Sequence, residues 1–268
     1  MAETEDQVLL VDVGNTNTVF GVLVDDHLAH DVRLATDRSR TADEYGALLL
    51  PLFDRLGLEA ENSRGFVVSS VVPPLNPVIE RLASDFFGCP PMFIEPGIKT
   101  GMPIRYDNPS EVGADRIVNS VAARELYGAP VVVVDFGTAT TFDIVNPAGE
   151  YLGGIIAPGI GISAEALFAQ ASKLFRVDLR PPNQLVGRNT SSAVQSGIYY
   201  GYVGLVDGIL KRLHDEIPGL ERVVGTGGLA PMIAEGSEYI QEVDDMLTLV
   251  GLQLIYERNR DRARTSTV

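Results

Sequence analysis

The sequence contains two copies of one pattern, an apolar strand that ends on an aspartate and runs into a turn of glycine and small polar residues. The first copy is LLVDVGNTNT at 9–18, with Asp12, and the second is VVVVDFGTATT at 131–141, with Asp135. In each copy a further strand-like segment follows the turn. Because the whole unit recurs, the chain is predicted to fold into two related lobes.

The alignment of the two copies extends through the turn. With Asp12 placed on Asp135, the paired residues are Gly14 with Gly137, Asn15 with Thr138, Asn17 with Thr140 and Thr18 with Thr141. Glycine lets backbone N–H groups approach an anion closely, and Thr and Asn add donors without charge. An aspartate repels phosphate unless a cation lies between them. The pattern therefore predicts a phosphate-binding turn with a metal ion, the alternative being an ordinary hairpin with a capping Asx residue.

The strand and helix signals around these turns predict an α/β fold. Strand-like segments open the chain at 8–13, 18–24 and 27–36, and their short connections imply an antiparallel meander. A capping box at Thr41 predicts a helix that ends at Gly57. The second copy of the turn is likewise followed by two more strands. We expect two lobes with a cleft between them, each a mixed sheet with an antiparallel meander flanked by helices.

The lobe boundary is predicted near 113, which gives a first lobe of 1–113 and a second of 114–268. The segment TGMPIRYDNPSEVGADR before it is rich in Gly, Pro, Asp and Asn and is predicted to be largely loop. Helices are predicted at 161–175 and 191–216 in the second half. A final helix at 243–259 is a candidate to pack back on the first lobe, and the charged tail after it is predicted to fray.

The charge balance and composition exclude several classes of protein. The 268 residues carry a net charge of −15, which opposes binding to nucleic acid and to anionic membranes. No apolar run approaches the ~20 residues that span a bilayer. The N-terminus, MAETEDQ, lacks the order of a signal peptide. The single cysteine, Cys89, excludes an internal disulfide and fits a reducing compartment. We expect a cytoplasmic protein.

Taken together, the motifs resemble those of one kinase family. DVGNTNT, DFGTATT and GTGG (225–228) are similar to the phosphate and nucleotide motifs of the acetate/sugar kinase–Hsp70–actin superfamily. Within it, the chain resembles the type III pantothenate kinases in GADR (113–116), YLGGIIAPG (151–159), GRNT (187–190) and SSVVP (69–73). The resemblance implies two actin-like (ribonuclease H-like) lobes. It also implies ATP-dependent phosphorylation of pantothenate to 4′-phosphopantothenate, the first step of coenzyme A biosynthesis.

The resemblance further implies a nucleotide site on the two turns and the glycine motifs. The implied ATP-binding residues are Asp12, Val13, Gly14, Asn15, Thr16, Asn17, Thr18, Val19, Thr138, Gly154, Gly227 and Gly228. Mg²⁺ is expected near Asp12, held through phosphate or water, and a monovalent cation, K⁺ or NH₄⁺, is expected at Asp135. Around Gly154 the resemblance implies a wall on the adenosine side with Gly227 and Gly228 nearby, the alternative being a strand-to-helix turn at Pro158.

Asp115 is the candidate catalytic base. A positioned carboxylate can take the proton of an alcohol as the bond to phosphorus forms, although N-capping of a helix is the structural alternative. By resemblance the substrate-binding residues are Tyr106, Gly113, Ala114, Asp115, Arg116 and Thr190. Arg116 would bind the pantothenate carboxylate through its planar fork, or else be a solvated charge. For Arg105, Glu111 and Asp143 the sequence does not separate a site role from placement on the surface.

The resemblance implies a homodimer whose pantothenate pocket borrows from the partner subunit. The stretch SSAVQSGIYYGYVGLVDGIL (191–210) is then either an interface helix, since small residues permit close helix contact, or a buried core helix. Two other functions stay open. One is a kinase of the same superfamily that acts on another small alcohol, and the other is a non-catalytic regulatory protein that binds ATP. The presence of both Asp115 and Asp135 argues against the second.

Overall fold

A computed structural model describes the backbone of residues 6–265 and the side chains of 6–260. The α/β prediction is confirmed, because the chain forms two mixed five-stranded sheets flanked by helices. The described chain divides into two compact units. The first comprises 6–101, 108–122 and 248–265, and the second comprises 102–107 and 123–247. Residues 114–122, which the sequence had placed in the second lobe, thus group with the first unit.

The first sheet follows the predicted meander with two parallel strands. Its strands lie in the order β3-β2-β1-β4-β5. β1 pairs antiparallel with β2 and parallel with β4, β2 pairs antiparallel with β3, and β4 pairs parallel with β5. The bounds are β1 Gln7–Val13, β2 Asn17–Val24, β3 His27–Ala35, β4 Ser63–Ser70 and β5 Pro91–Phe93.

The second sheet repeats this arrangement strand for strand. Its order is β10-β9-β6-β7-β8, in which β6 pairs antiparallel with β7 and parallel with β9. β7 pairs antiparallel with β8, and β9 pairs parallel with β10. The two aspartate turns therefore connect equivalent strands of two related sheets. The bounds are β6 Val131–Phe136, β7 Ala139–Val145, β8 Tyr151–Pro158, β9 Arg222–Thr226 and β10 Glu242–Val243.

The register corrects the sequence alignment at the end of the turn. In the first sheet Val13 pairs with Thr18, and in the second Phe136 pairs with Thr140. The second turn is therefore one residue shorter, and Thr140 rather than Thr141 is the equivalent of Thr18. Both of these threonines are fully buried. A gapless alignment could not show the missing residue, because threonine occurs at both candidate positions.

Seven α-helices flank the sheets in the described chain, and the first has the predicted ends. Thr41 and Glu44 form the capping box, and Gly57 closes the helix in the left-handed conformation with φ +71°. The helices are α1 Ala42–Leu56, α2 Asn76–Phe87, α3 Ala114–Tyr127, α4 Ile160–Gln170, α5 Thr190–Glu216, α6 Ala230–Ala234 and α7 Leu247–Thr265. No helix in the described part of the chain has the length and apolar character needed to cross a bilayer.

Two helix boundaries differ from the sequence prediction. Helix α4 ends at Gln170 instead of 175, because Ala171 takes an extended conformation. Helix α7 begins at Leu247 instead of 243, since Glu242 and Val243 pair with β9 and the Asp244 side chain accepts a bond from Met246 N. The helix then continues through Thr265, where the sequence had predicted fraying.

Each unit has its own apolar core. In the first, residues of β1, β2 and β4 pack against α1 and α2. In the second, residues of β6 and β7 pack against α5 and α6. Helix α7 packs within the first unit, where a Cβ on Gly251 would lie 2.2 Å from Val118 O and Thr248 Oγ1 donates to Asn119 Oδ1 at 2.7 Å. The glycine lets α7 approach α3 closely.

Candidate active site

The first phosphate-like turn is closed by its own backbone. Gly14 N donates to Asn17 O at 3.0 Å, and a Cβ on Gly14 would lie 2.9 Å from that oxygen. Asp12 is half-buried on β1, and Val13 points into the core. The side chain of Val13 therefore contributes packing, and only its backbone is available at the turn. The glycine is required by the close approach rather than by its dihedral angles.

The end of strand β3 holds this turn in place through Thr36. Thr36 N donates to Thr16 O at 2.9 Å, and Thr36 Oγ1 donates to Gly14 O at 2.7 Å. The Thr36 and Thr18 hydroxyls also lie 2.9 Å apart. Sequence reasoning missed Thr36, because it sits outside the D-x-G pattern. The available signal was a hydroxyl residue at the end of the meander strand next to the turn.

A buried hydroxyl accompanies Asp12 on the neighbouring strand. Ser69 on β4 pairs with Asp12 in parallel register, so both side chains lie on the same face of the sheet. Ser69 is fully buried, and its hydroxyl has no hydrogen-bond partner among the described residues. An uncompensated oxygen beside a carboxylate suits a hard cation or its bound water. The residues of the first turn therefore fit a Mg²⁺ ion held with phosphate.

Asp115 lies at the second position of α3, in the first unit with Asp12. Its Oδ1 accepts a bond from Arg116 N at 2.7 Å, and burial raises the pKa of the Asp115 carboxyl above its usual value. A Cβ on Gly113 would lie 2.6 Å from the same oxygen and 3.6 Å from Val71 Cγ1. Asp115 is the second residue of the helix rather than the residue before it, and its carboxylate still accepts a bond from a first-turn N–H group, that of Arg116.

Asp115 and the Asp12 turn both lie near the C-terminal ends of strands β1 and β4. Val71, which Gly113 faces, donates its N–H to Val13 O at 3.0 Å. Ala114 and Asp115 begin α3 near these strand ends, and Arg116 follows with only 8% of its surface exposed. The solvated-charge alternative for Arg116 is therefore wrong. A buried guanidinium next to a candidate base fits recognition of a carboxylate.

Two neighbouring loops pack on the second turn, and both belong to the second unit. Gly227, with φ +88°, follows β9, and a Cβ there would lie 2.8 Å from Asp135 Oδ1. Gly159, after β8, is even closer to the turn, since its Cβ would lie 2.1 Å from Thr138 O. Thr226 pairs with Asp135 as Ser69 pairs with Asp12 in the first sheet. The glycines therefore let two neighbouring loops close on the turn.

Asp135 fits a cation whose other ligands are not acidic side chains, histidines or cysteines. The described residues contain no group of three or more His, Cys, Asp or Glu side chains arranged to hold a metal ion. Asp135 is half-buried, and Thr138 is exposed beside it. Alkali and alkaline-earth cations take oxygen ligands. A cation at Asp135 would therefore use this carboxylate with backbone, water or phosphate oxygens.

Tyr106 forms a wall with residues of β8 in the second unit. Gly153 has φ +124°, and a Cβ there would lie 3.1 Å from the Tyr106 ring. The Tyr106 and Tyr151 rings are 6.5 Å apart with an interplanar angle of 40°. The backbone is fixed as well, because Tyr151 N donates to Pro103 O at 2.9 Å and Arg105 N donates to Tyr151 O at 2.8 Å. The tyrosine that the sequence assigns to the substrate is thus held rigidly.

A buried carboxylate supports this wall. Asp143 is fully buried and accepts bonds from Tyr151 OH at 2.8 Å and Thr141 Oγ1 at 3.1 Å. Asp143 is therefore not a surface residue, which was one of the two alternatives that the sequence left open. Arg105, by contrast, is mostly exposed and pairs with Glu150 at 2.7 Å. Glu111 is exposed in a short 3₁₀ turn, where it accepts a bond from Asn108 at 2.8 Å.

The structure does not bring together all the glycines that the sequence grouped on the adenosine side. Gly154 lies on β8, where it pairs with Asp143 of β7, next to the Tyr106 wall. β6 and β7 separate β8 from β9, which leads into Gly227 and Gly228. At about 4.8 Å per strand, Gly154 is too far from them to share a wall directly. Gly159 of the same motif is the glycine that meets the phosphate turn.

Thr190 is the first residue of α5 and belongs to a different segment of the second unit from Tyr106. It is exposed and lines a groove of about 880 Å³ between α4 and α5. The groove is mostly apolar, with Leu167, Ile198 and Leu205 among its lining residues. Gly197 and Gly201 also face it, and a Cβ on either would meet open space. Helix α5 therefore has a core face and a face of small residues that the described part of the chain leaves open.

Comparison with known proteins identifies the family. The model of the family described as type III pantothenate kinase matches residues 8–212. The type III pantothenate kinase of Geobacter sulfurreducens is 56% identical over 254 residues, which cover 95% of this chain and 100% of that protein. The enzyme of the same name from Koribacter versatilis is 53% identical and covers 96% and 97% of the two chains.

A solved structure confirms the wider fold at low sequence similarity. The activator of the 2-hydroxyisocaproyl-CoA dehydratase from Clostridium difficile, with bound ADPNP, matches with a TM-score of 0.55 and 13% identity. The match covers 97% of this chain and 96% of that one. It supports the actin-like architecture of the two units. From the family match and the high identity over nearly the whole length, the chain belongs to the type III pantothenate kinase family.

Proposed function

We propose that the protein transfers the γ-phosphoryl group of ATP to pantothenate, which gives 4′-phosphopantothenate and ADP in the first step of coenzyme A biosynthesis. The observation that carries this proposal is the family match, with more than half of the residues identical to full-length relatives of that name. The site geometry within each unit agrees with it.

Asp115 is the base in this proposal. The pantothenate hydroxyl oxygen forms a bond to the γ-phosphorus, the bond from that phosphorus to the β–γ bridging oxygen breaks, and the hydroxyl proton passes to the Asp115 carboxylate. A raised pKa supports this role, because a more basic carboxylate is a better proton acceptor. Mg²⁺, when bound with the phosphates near Asp12, would neutralise their charge. The buried Arg116 would hold the pantothenate carboxylate.

The remaining roles divide between the two turns and the tyrosine wall. The turn from Asp12 to Val19 would hold ATP phosphates, and Thr138 would provide a second phosphate contact. Asp135 would bind the monovalent cation, K⁺ or NH₄⁺. Gly227 and Gly228 would lie on the nucleotide side. Their support is the close packing of Gly227 on Asp135 and the donor-rich composition of both turns.

Tyr106 and Thr190 would contact pantothenate, and we propose that the active form is a cytoplasmic homodimer. Helix α5 supports the dimer, since none of the described residues covers its glycine-bearing face at Gly197 and Gly201. Exposed apolar side chains occur along the neighbouring α4 and the segment after it, at Ile162, Leu167 and Phe175. Apolar surface of this kind is a usual feature of subunit interfaces.

Acceptor specificity tests the proposal directly. Purified protein with Mg-ATP is assayed for ADP release in the presence of pantothenate and, separately, of glycerol, N-acetylglucosamine and pantetheine. We expect pantothenate to be the best acceptor by kcat/KM and ADP release without an acceptor to be negligible. Phosphorylation of another alcohol in preference to pantothenate would favour a different kinase of the superfamily. ATP binding with no acceptor phosphorylated would favour the regulatory alternative.

The proposed monovalent site is tested by cation replacement. We expect phosphorylation to be supported by K⁺ or NH₄⁺ and to fall at least tenfold when Na⁺ replaces them at the same ionic strength. Asp135→Asn should abolish this preference, because it removes the only charged ligand proposed for the cation. Equal rates for the wild type in Na⁺ and K⁺ would remove the monovalent cation from the account.

A further inference from the structure

The loop between β3 and α1 brings positive charge to a phosphate turn that has none of its own. Residues 12–19 contain no lysine or arginine, and the whole chain carries a net charge of −15. Arg38, in this loop, donates from Nη2 to the Asn15 side-chain oxygen at 3.2 Å. Both side chains are exposed. A guanidinium is thus placed directly at the turn proposed to hold the phosphates of ATP.

The loop is held in a defined conformation on both sides of Arg38. Thr36 is tied to the turn by its two bonds to Gly14 and Thr16. Asp37 accepts bonds from Ser39 N at 2.9 Å and from the Ser39 hydroxyl at 2.7 Å, and these bonds lower the pKa of its carboxyl. Arg38 is therefore presented to the turn by an ordered loop.

The second arginine of the loop is already engaged elsewhere. Arg40 Nη1 donates to Ala35 O at 3.0 Å, and its guanidinium lies 5.1 Å from the centre of the Tyr45 ring. Arg38 has a neutral partner instead, the amide of Asn15. Among the ion pairs of residues 6–260, none involves Arg38. The loop therefore carries one arginine with structural contacts, Arg40, and one without an ion-pair partner among the described residues, Arg38.

We propose that Arg38 is a nucleotide-binding residue that pairs with the phosphates of ATP at the Asp12 turn, and this inference rests on the proposed function. On binding, Arg38 would exchange its neutral bond to Asn15 for a bond to a phosphate oxygen. Charge-assisted bonds of this type are about twice as strong as neutral ones, and the planar fork of arginine matches phosphate geometry. The exchange also releases the Asn15 side-chain oxygen, so that the amide is free to turn its NH₂ donor towards a phosphate oxygen.

The competing explanation is that Arg38 only orients the Asn15 side chain. The two roles differ in what a substitution preserves. Arg38→Gln keeps an amide donor for Asn15 and loses the charge, whereas Arg38→Lys keeps the charge and loses the fork. Arg55, exposed in the last turn of α1, offers a matched control, since Arg55→Ala removes the same charge from the same unit.

Calorimetric titration with Mg-ATP at low and high salt distinguishes these roles. We expect Arg38→Ala and Arg38→Gln to weaken ATP binding about 10-fold or more, Arg38→Lys to weaken it less, and Arg55→Ala to stay within twofold of wild type. The salt dependence of the affinity should be smaller in the Ala and Gln variants, because one screened charge contact is gone. Wild-type affinity in Arg38→Gln, or an unchanged salt dependence in Arg38→Ala, would overturn the proposal.

The same proteins separate this inference from the proposed function. If wild type fails to phosphorylate pantothenate but the Arg38 variants still lose ATP affinity, the inference stands and the substrate assignment fails. If wild type phosphorylates pantothenate and Arg38→Ala binds ATP as well as wild type does, the proposed function stands and the inference fails. A wild type that binds no ATP would contradict both.

Discussion

At the residue scale, Asp115 combines a buried position with a need for charge. Burial disfavours the ionised carboxylate, and the bond from Arg116 N together with the positive charge of Arg116 compensates only in part, so the pKa of Asp115 is raised. In a folded protein such a group lowers stability once it is ionised. As pH rises from the ordinary aspartate value of 3.8 through the raised folded pKa, this destabilisation develops fully. The proposed use of the ionised carboxylate as a base is therefore opposed by its effect on stability.

Substitution of Asp115 tests both effects in one variant. Asp115→Asn should lower kcat/KM for phosphorylation by about 10²–10⁴-fold, because the general base is lost. It should also raise the melting temperature at neutral pH, by about 2–4 °C for each kcal/mol gained, since a neutral amide is easier to bury. The gain should shrink as pH falls below the raised pKa, where the wild-type carboxyl is protonated. Calorimetric scans from acid to neutral pH measure this, and a variant less stable than wild type at neutral pH would contradict the assignment.

Burial has a different consequence for the single cysteine, because it makes a normally reactive thiol unreactive. Cys89 is 8% exposed, and burial raises the pKa of its thiol to about 11. Because the thiolate is the nucleophile, the native protein should react with Ellman's reagent at pH 8 far more slowly than the protein unfolded in guanidinium. Rapid labelling of the native protein would show that the core around Cys89 opens readily.

Individual residues differ in how far the sequence could predict them. The aspartates and glycines of the turns follow from local pattern, because each has a reason within a few residues of itself. Thr36 and Asp143 do not, since their partners come from strand pairing and lie on neighbouring strands. Arg116 is a similar case, because only the packing around α3 decides that its side chain is buried.

At the element scale, the glycine loops fix the geometry of the second turn. Gly227→Ala should destabilise the protein and weaken ATP binding, because its φ of +88° and the 2.8 Å approach to Asp135 Oδ1 leave no room for a Cβ. Gly228→Ala is the control for stability, since a Cβ there meets open space. A loss of about 1–3 kcal/mol is expected for Gly227→Ala in chemical denaturation. Equal stability of the two variants would mean that the turn is not closed as described.

Local signals predicted elements well where the cause was local. The capping box and the glycine stop of α1 were both correct, because the caps lie in the helix's own sequence. The start of α7 was wrong by several residues, since strand β10 takes up the preceding residues by pairing with β9. The short second turn was missed for the same reason, because only the pairing of β6 with β7 fixes which threonine is equivalent to Thr18.

At the scale of the whole molecule, duplication of the sheet is the organising feature. Both sheets have the same strand order and the same pairing directions, although the sequence shows the repeat only at the turns. The prediction of two related lobes therefore followed from two short motifs. The final helix was a candidate to pack back on the first lobe, and α7 does group with the first unit. The predicted boundary at 113 did not place residues 114–122 there, because that grouping depends on packing between distant parts of the chain.

The proposed homodimer is a prediction for the whole molecule. Size-exclusion chromatography with light scattering should give the mass of two chains, and Gly201→Trp on the open face of α5 should shift the protein towards one chain. The tryptophan fills space that the partner is proposed to occupy. Unchanged circular dichroism would show that the variant still folds. A wild type with the mass of a single chain at micromolar concentration would contradict the dimer.

The central claim is that the protein phosphorylates pantothenate, with Asp115 as the proposed base. Its most direct test is the mass-spectrometric detection of 4′-phosphopantothenate after incubation of pantothenate with Mg-ATP and K⁺, with wild type and Asp115→Asn compared at equal concentration. The account predicts ATP-dependent product from the wild type and a rate at least about 100-fold lower from the variant. No product from a folded wild type, or equal product from the two proteins, would contradict it.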